Sequence, residues 1–314
     1  MKICIVSYDN MKQNTTLVDH FVSLGHEVTP IDFFSFRYHY PNVLYRVYNA
    51  FLKVFLRKSI KKIYYGKRII EQLQKMERQD IVITLKGDFV DADYLKQIKN
   101  YTDRSVSFFN DAVARYPRIK DVYQCFDESF SFEKADCERY GMSFLTNWIF
   151  TKKNENIPIK YSVYNISSMD HRCSILDQIG GKLKENDISY KIQVLHSKKN
   201  IPCQHIEVIH ERLTLDDIDK GISESLALIE VNKDKQLGLS FRVFECMGYH
   251  KKLLTTNPDV VHYDFYHPSN IMVINEENMG NIKQFLETPY VNLPSNIYNK
   301  YTIDGWFEII LGKK

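Results

Sequence analysis

The chain is poor in the residues that announce the commonest cofactor and redox chemistries. It has 12 glycines in 314 residues, and none falls in the turn SYDNMKQN after the first apolar run. A GxGxxG loop needs glycines there so that backbone can close on a pyrophosphate, and no GxxxxGK[ST] loop occurs elsewhere, so a dinucleotide-binding enzyme of the usual type and a nucleoside triphosphate loop are both disfavoured. The six cysteines, Cys4, Cys125, Cys137, Cys173, Cys203 and Cys246, show no CxxC spacing, which fits reduced thiols in a cytoplasmic protein. His205 and His210 are five apart with no cysteine or carboxylate spaced to complete a zinc site, so no metal is expected. No apolar run approaches the ~18–20 residues of a membrane span. MKICIVSYD reads as a first strand rather than a signal segment, so any membrane contact is expected to be peripheral, from the cytoplasmic side. A formal net charge of +3 is too mild to make nucleic acid the main partner.

What is present is an ordinary globular composition, 44% hydrophobic and 26% charged, long enough for two domains of roughly 150 residues. Apolar strands alternate with helical patterns, the signature of parallel sheets covered on both faces. KICIVSY, HEVTPIDF, DIVITLK and SVSFFND are the strands of a first Rossmann-like half, with helices around 16–24 and 94–100. The polar connection TKKNENIPIK (Thr151–Lys160) suggests the boundary. YSVYNI, SYKIQVL, HIEVI, SLALIEV, KKLLTT and NIMVI repeat the pattern in a second half, and a last helix spans 302–311.

Charge is concentrated rather than spread. Between Arg37 and Lys75 there are ten Lys or Arg residues against one acid, Glu71, interleaved with Tyr38, Tyr40, Tyr45, Tyr48, Phe51, Phe55, Tyr64 and Tyr65. Such a segment suits a bilayer surface or a phosphorylated lipid acceptor, with Lys58, Lys61 and Lys62 as candidate contacts. Leu44, Tyr48, Phe51 and Phe55 equally make an inward stripe on a core helix, and the pattern alone leaves both readings standing.

The most informative stretch is Gln236–Ile274, QLGLSFRVFECMGYHKKLLTTNPDVVHYDFYHPSNIMVI, which reads as loop, short helix, buried strand, loop and strand. Leu239, Val243, Phe244 and Met247 recur at three- and four-residue intervals, so the helix buries one face and is expected to close at Gly248. Gly238 and Ser240 sit at its start, where free N–H groups and the helix dipole favour an anion such as a diphosphate. Arg242 can add a forked donor to the same oxygens, and Glu245, three residues on, can accept from the paired hydroxyls of a ribose. An amphipathic helix with a surface Arg–Glu pair has the same periodicity.

The run LSFRVFECMGYHKKLLTTN…YDFYHPSNIMVI resembles the donor-binding segment of bacterial GT-B glycosyltransferases that build lipopolysaccharide core and capsule, in particular those of the RfaS type. SFFNDAVARYP (Ser107–Pro117) and CFDESFSFEKADCERYGMSFL (Cys125–Leu145) are similar to the phrase that closes the first domain in those enzymes. The resemblance implies an α/β chain of GT-B type, two Rossmann-like doubly wound domains facing across a cleft. Residues 1–155 form the acceptor domain with the basic, aromatic insertion 37–75, and 156–300 form the donor domain. Residues 301–314 form a helix crossing back, with Trp306 and Phe307 near the hinge.

The implied activity is metal-independent transfer of a sugar, without a cofactor, from a nucleotide-sugar to lipopolysaccharide core or another lipid-linked glycan. The leaving diphosphate is met by a helix N-terminus and by Gly238, Ser240, Arg242 and Arg172, with Thr256 and Asn257 as further donor contacts. An inverting reaction needs a base in the first domain. Asp111 directly follows the strand SVSFFN, while Asp9 after the first strand and Asp88 in LKGD are comparable, each with a capping or turn role as its other reading. Arg115, four residues after Asp111, can pair with it or hold an acceptor phosphate. Two departures stand out. Relatives often carry glycine after the first strand of the second domain, where this chain has Ser167 and Ser168. Retaining relatives carry two glutamates eight apart, and the partner position of Glu245 is Leu237, so inversion is preferred. A non-catalytic nucleotide- or carbohydrate-binding protein and a peripheral membrane scaffold remain as readings from other classes.

Overall fold

A computed structural model describes residues 1–9, 14–151, 157–197 and 203–313. The chain forms two compact units, Met1–Thr146 with Phe307–Lys314, and Asn147–Trp306. The expected boundary between residues 155 and 156 lies outside the described residues.

The first unit contains β1 (Lys2–Ser7), α1 (Thr15–Ser23), β2 (Glu27–Asp32), α2 (Val43–Phe55), α3 (Ile60–Leu73), β3 (Gln79–Leu85), α4 (Ala92–Gln97), β4 (Thr102–Phe109), α5 (Ile119–Val122), β5 (Glu128–Ser131), α6 (Lys134–Tyr140) and β6 (Ser143–Phe144). Its sheet is parallel throughout, in the order β2-β1-β3-β4-β5-β6. Covering both faces of a parallel sheet demands near-continuous apolar strands, and Ile3, Cys4, Ile5 and Val6 are all buried. Pro30, which has no N–H for a second neighbour, sits on the edge strand β2.

The basic segment folds as two helices that behave differently. α3 is a core helix that buries Tyr65, Gly66, Ile69, Ile70 and Leu73. α2 buries only Asn49 and Leu52. The stripe Leu44, Tyr48, Phe51 and Phe55 therefore does not face inward: all four residues are at least half exposed.

The second unit runs β7 (Tyr161–Ser168), α7 (Cys173–Glu185), β8 (Tyr190–Leu195), β9 (Glu207–Ile209), α8 (Leu215–Ser223), β10 (Ser225–Glu230), α9 (Phe241–Tyr249), β11 (Lys252–Thr255), β12 (Ile271–Val273), α10 (Ile282–Glu287) and α11 (Ser295–Tyr298), and then enters α12 (Ile303–Ile310). The parallel order is β12-β11-β10-β7-β8-β9, which within the unit is the 3-2-1-4-5-6 arrangement of a dinucleotide fold. Alternate residues serve two cores: Tyr164, Leu228 and Leu253 pack with α9, while Val163, Ile229 and Leu254 pack with α7. Gly248 lies inside α9 rather than closing it. A Cβ there would come within 2.6 Å of the Thr151 carbonyl oxygen, and the left-handed end position is His250, with φ 54°. In α12, Trp306 packs on Trp148 in the second unit (ring centroids 4.9 Å apart) and Phe307 on Phe21 in the first (4.2 Å).

Candidate functional site

In an open parallel sheet, ligands bind beyond the carboxyl ends of the strands where the order reverses. In the second unit that point lies between β7 and β10. Two arginines span it. Arg172, at the start of α7 after β7, donates from Nη1 to the carbonyl oxygen of Val231, the residue after β10, at 3.0 Å. Arg242, in the first turn of α9, donates from Nη2 to the Ile166 carbonyl of β7 at 3.1 Å.

Each arginine is held by a carboxylate. Asp170 accepts from Arg172 Nε (3.0 Å), Nη2 (2.8 Å) and backbone N–H (2.9 Å). Partial burial pushes the Asp170 carboxyl up, but these hydrogen bonds outweigh it and hold the group below the ordinary range. Glu245 accepts from Arg242 Nη1 at 2.5 Å, and both side chains are mostly buried. Burial pushes the Glu245 carboxyl up, with Arg242 opposing. The Arg–Glu pair is thus no solvated surface pair.

A residue absent from the sequence-derived set lies among them. Glu230, the last residue of β10, is buried and accepts from Thr255 Oγ1 at 2.5 Å. Burial pushes its carboxyl up, opposed by the Thr255 and Ser240 hydroxyls and then by Arg172 and Arg242. Ser240 is the N-cap of α9, so Glu230 sits under the end of the helix where an anion would be received. The signal that singles out Asp111, an acid ending an apolar strand, applies to Glu230 in SLALIE as well.

The remaining donor candidates have more ordinary surroundings. Gly238 is buried in the loop before α9. Thr256 accepts from the Asn232 backbone N–H at 2.8 Å. Asn257 is fully buried, with its amide spent on the Leu237 carbonyl (2.9 Å) and the Asp259 N–H (3.0 Å), so it pins the loop and has no free edge for a ligand.

In the first unit the order reverses between β1 and β3. Tyr8, after β1, stacks on Phe89, beyond β3, with centroids 4.9 Å apart. Asp9 takes its capping role: it accepts from Thr15 N–H (2.9 Å) and Oγ1 (3.0 Å) at the start of α1. Asp111, after β4, lies 3.3 Å from Lys86 Nζ and is largely covered. Lys86 reaches it from a left-handed backbone position, φ 61°, which costs a non-glycine residue about 1–3 kcal/mol. Asp88 is buried, and burial pushes its carboxyl up, with Lys62 and Lys86 opposing and Asp111 adding to the rise.

Lys62 belongs to this cluster. Its Nζ donates to the Asp88 carbonyl, and burial, aided by Arg118 and Lys53, takes its ammonium down to about 8. Lys58 instead pairs with Asp93 at 2.6 Å on the surface, and Lys61 lies over the Tyr65 ring at 5.3 Å. Arg115 is half-buried in the turn after Asp111. Among the described residues, no group of three or more His, Cys, Asp or Glu side chains is placed to hold a metal ion, and no helix is long and apolar enough to cross a membrane.

No family model matches the chain, and no curated protein matches it in sequence. Solved structures do match it over its length. It is similar to a lipopolysaccharide outer core galactosyltransferase, WaaB, in its apo form (12% identity, TM-score 0.57, 100% of both chains). It is similar to AviGT4, a glycosyltransferase involved in avilamycin A biosynthesis (9%, 0.61, 100% of this chain and 96% of that one). It is also similar to a UDP-N-acetylglucosamine 2-epimerase from Rickettsia bellii (12%, 0.54, 99% and 96%). At such identities the likeness speaks to architecture alone. With two six-stranded parallel sheets, each flanked by helices, the chain has the GT-B fold.

Proposed function

We propose that the protein is a glycosyltransferase that moves a sugar from a nucleotide-sugar to a hydroxyl of lipopolysaccharide core or another lipid-linked envelope glycan, with inversion and without an obligatory metal. The observation that carries this reading is the pair of arginines at the β7/β10 reversal, each clamped by a carboxylate and a carbonyl from across that point. In this reading the diphosphate lies at the Ser240 end of α9, against Arg242 and Arg172, so charge building on the leaving group meets donors already in place. Glu245 fixes Arg242 and receives the ribose hydroxyls. Asp111, kept beside the Lys86 ammonium, takes the acceptor's proton.

The test is twofold. A panel of nucleoside diphosphates is screened for a rise in melting temperature, since a ligand of the native state stabilises it by mass action. The matching nucleotide-sugars are then assayed for transfer with wild type, Arg242→Ala and Glu245→Ala. Full activity in both variants, or no stabilising nucleotide, removes the reading. Because an epimerase shares the architecture, the donor is also incubated without acceptor. Conversion of the sugar in that arm assigns a nucleotide-sugar enzyme that is not a transferase.

A further inference from the structure

α2 wears its apolar face outward. At 100° per residue, Val43, Leu44, Val47, Phe51, Val54 and Phe55 fall on one continuous arc, and they are 50–76% exposed. Scattered surface hydrophobes need no explanation, but a contiguous apolar arc of this length does. The opposite side is tied down. Asn49 Nδ2 donates to the Tyr40 hydroxyl and Asn49 Oδ1 accepts from the Ile60 N–H, each at 2.9 Å, and Leu52 is buried beside it. Turning the apolar arc inward would break both bonds and expose Leu52, so the outward orientation is built in.

One border of the arc is cationic. Arg46 and Lys53 both lie beyond its Val43 edge, and Arg57, Lys58 and Lys61 follow in the connection and the start of α3. Behind them Arg118 Nη1 donates to the Arg57 carbonyl at 3.1 Å, and the Lys62 ammonium feels both Arg118 and Lys53. A second copy of the chain suits this surface poorly in an antiparallel two-fold pairing, which sets the same cationic border against itself. An anionic lipid surface satisfies both features at once.

We propose that α2 is the docking surface for an anionic phospholipid bilayer, lying in the interfacial plane with Val47, Phe51 and Val54 among the acyl chains and Arg46, Lys53 and Arg57 at headgroup phosphates. This inference stands apart from the reading of sugar transfer. The full chain is floated on a density gradient with vesicles of phosphatidylcholine alone or mixed with phosphatidylglycerol. Wild type is expected to float with the mixed vesicles, less so as salt rises. The triple variant V47E/F51E/V54E stays unbound while keeping the wild-type melting curve and any nucleotide-induced shift. Arg46→Gln and Lys53→Gln each weaken binding to the mixed vesicles by roughly fivefold. Wild type left unbound by the mixed vesicles, or a triple variant that floats as wild type does, overturns the proposal. So does a concentration-dependent dimer that the triple substitution abolishes, which would give the surface to a second copy.

Discussion

The two sheets end in charge clusters of different build. At the β7/β10 reversal the cations are arginines, each fixed at both ends of its planar fork by a carboxylate and a backbone carbonyl. At the β1/β3 reversal they are lysines, point charges on flexible stems: Lys86 beside Asp111 and Lys62 over the Asp88 carbonyl. A guanidinium keeps its charge at any working pH and presents donors in fixed directions, whereas an ammonium gives up its proton when buried. The arginine cluster is therefore suited to hold one unchanging anion, and the lysine cluster to tolerate a change of protonation. Each cluster also contains a buried carboxyl pushed upward, Glu230 in one and Asp88 in the other.

The sharpest break in this comparison is expected at Arg242. Arg242→Ala should lower kcat/KM for transfer by roughly 10²–10³-fold, the usual cost of removing one preorganised donor. It also strands Glu245 in a mostly buried place, a change expected to cost about 3 kcal/mol of stability. The double variant R242M/E245M separates the two effects. Chemical denaturation should show most of the stability restored, while activity stays low. Recovery of activity with stability would reduce the pair to a packing element.

Next in size is Asp111. Asp111→Asn should lower kcat by about 10²-fold, in the range of a lost general base, with the nucleotide-induced melting shift unchanged. Equal loss of nucleotide binding would move Asp111 out of the proton-transfer role and blur the division between the clusters.

Parallel strands under cover on both faces leave apolar runs that sequence exposes directly, as in KICIVS, DIVITL and SLALIE. β5 (ESFS) and β6 (SF) escape because they are short, and because the buried Ser129 hydroxyl is satisfied by Ser107 at 2.7 Å rather than replaced by an apolar group. For α2, periodicity finds an amphipathic helix and is silent about which face meets solvent; the decision rests on Asn49 inside the helix and on its two partners, Tyr40 and Ile60, which lie just outside it. Ser240, Arg242 and Glu245 are visible because a short helix after a buried strand places them locally. Glu230 is harder to see, since an acid at a strand end looks like a turn residue until its burial and the Thr255 hydroxyl that donates to it are known.

Glu230 gives a smaller effect with a definite sign. Its carboxyl is pushed up on folding, so the unfolded chain releases the proton first as pH rises from the ordinary carboxylate range. Across that window, up to the raised folded value, this group subtracts stability. Glu230→Gln removes the subtraction, so the variant should gain on wild type between acidic and neutral pH in thermal melts. A constant offset at every pH would mean that Thr255, Ser240 and the two arginines fully offset the cost of burying the charge.

Lys62 supplies the mirror case, smaller because the side chain keeps partial contact with solvent. Its ammonium is brought from an ordinary value of 10.5 down to about 8 in the folded chain. Below about 8 both states carry the proton, and folding bears the cost of burying it near Arg118 and Lys53. Between about 8 and 10.5 the unfolded chain still binds a proton that the folded chain has shed, so stability from this group rises with pH. Tyrosines, cysteines and other lysines titrate in the same interval, but they cancel in the difference between wild type and Lys62→Met. That difference in melting temperature should favour the variant most at pH 7 and shrink toward pH 10. A pH-independent difference would show that the Asp88 carboxylate neutralises Lys62 as firmly as Glu245 does Arg242, and the lysine cluster would then be as fixed in charge as the arginine one.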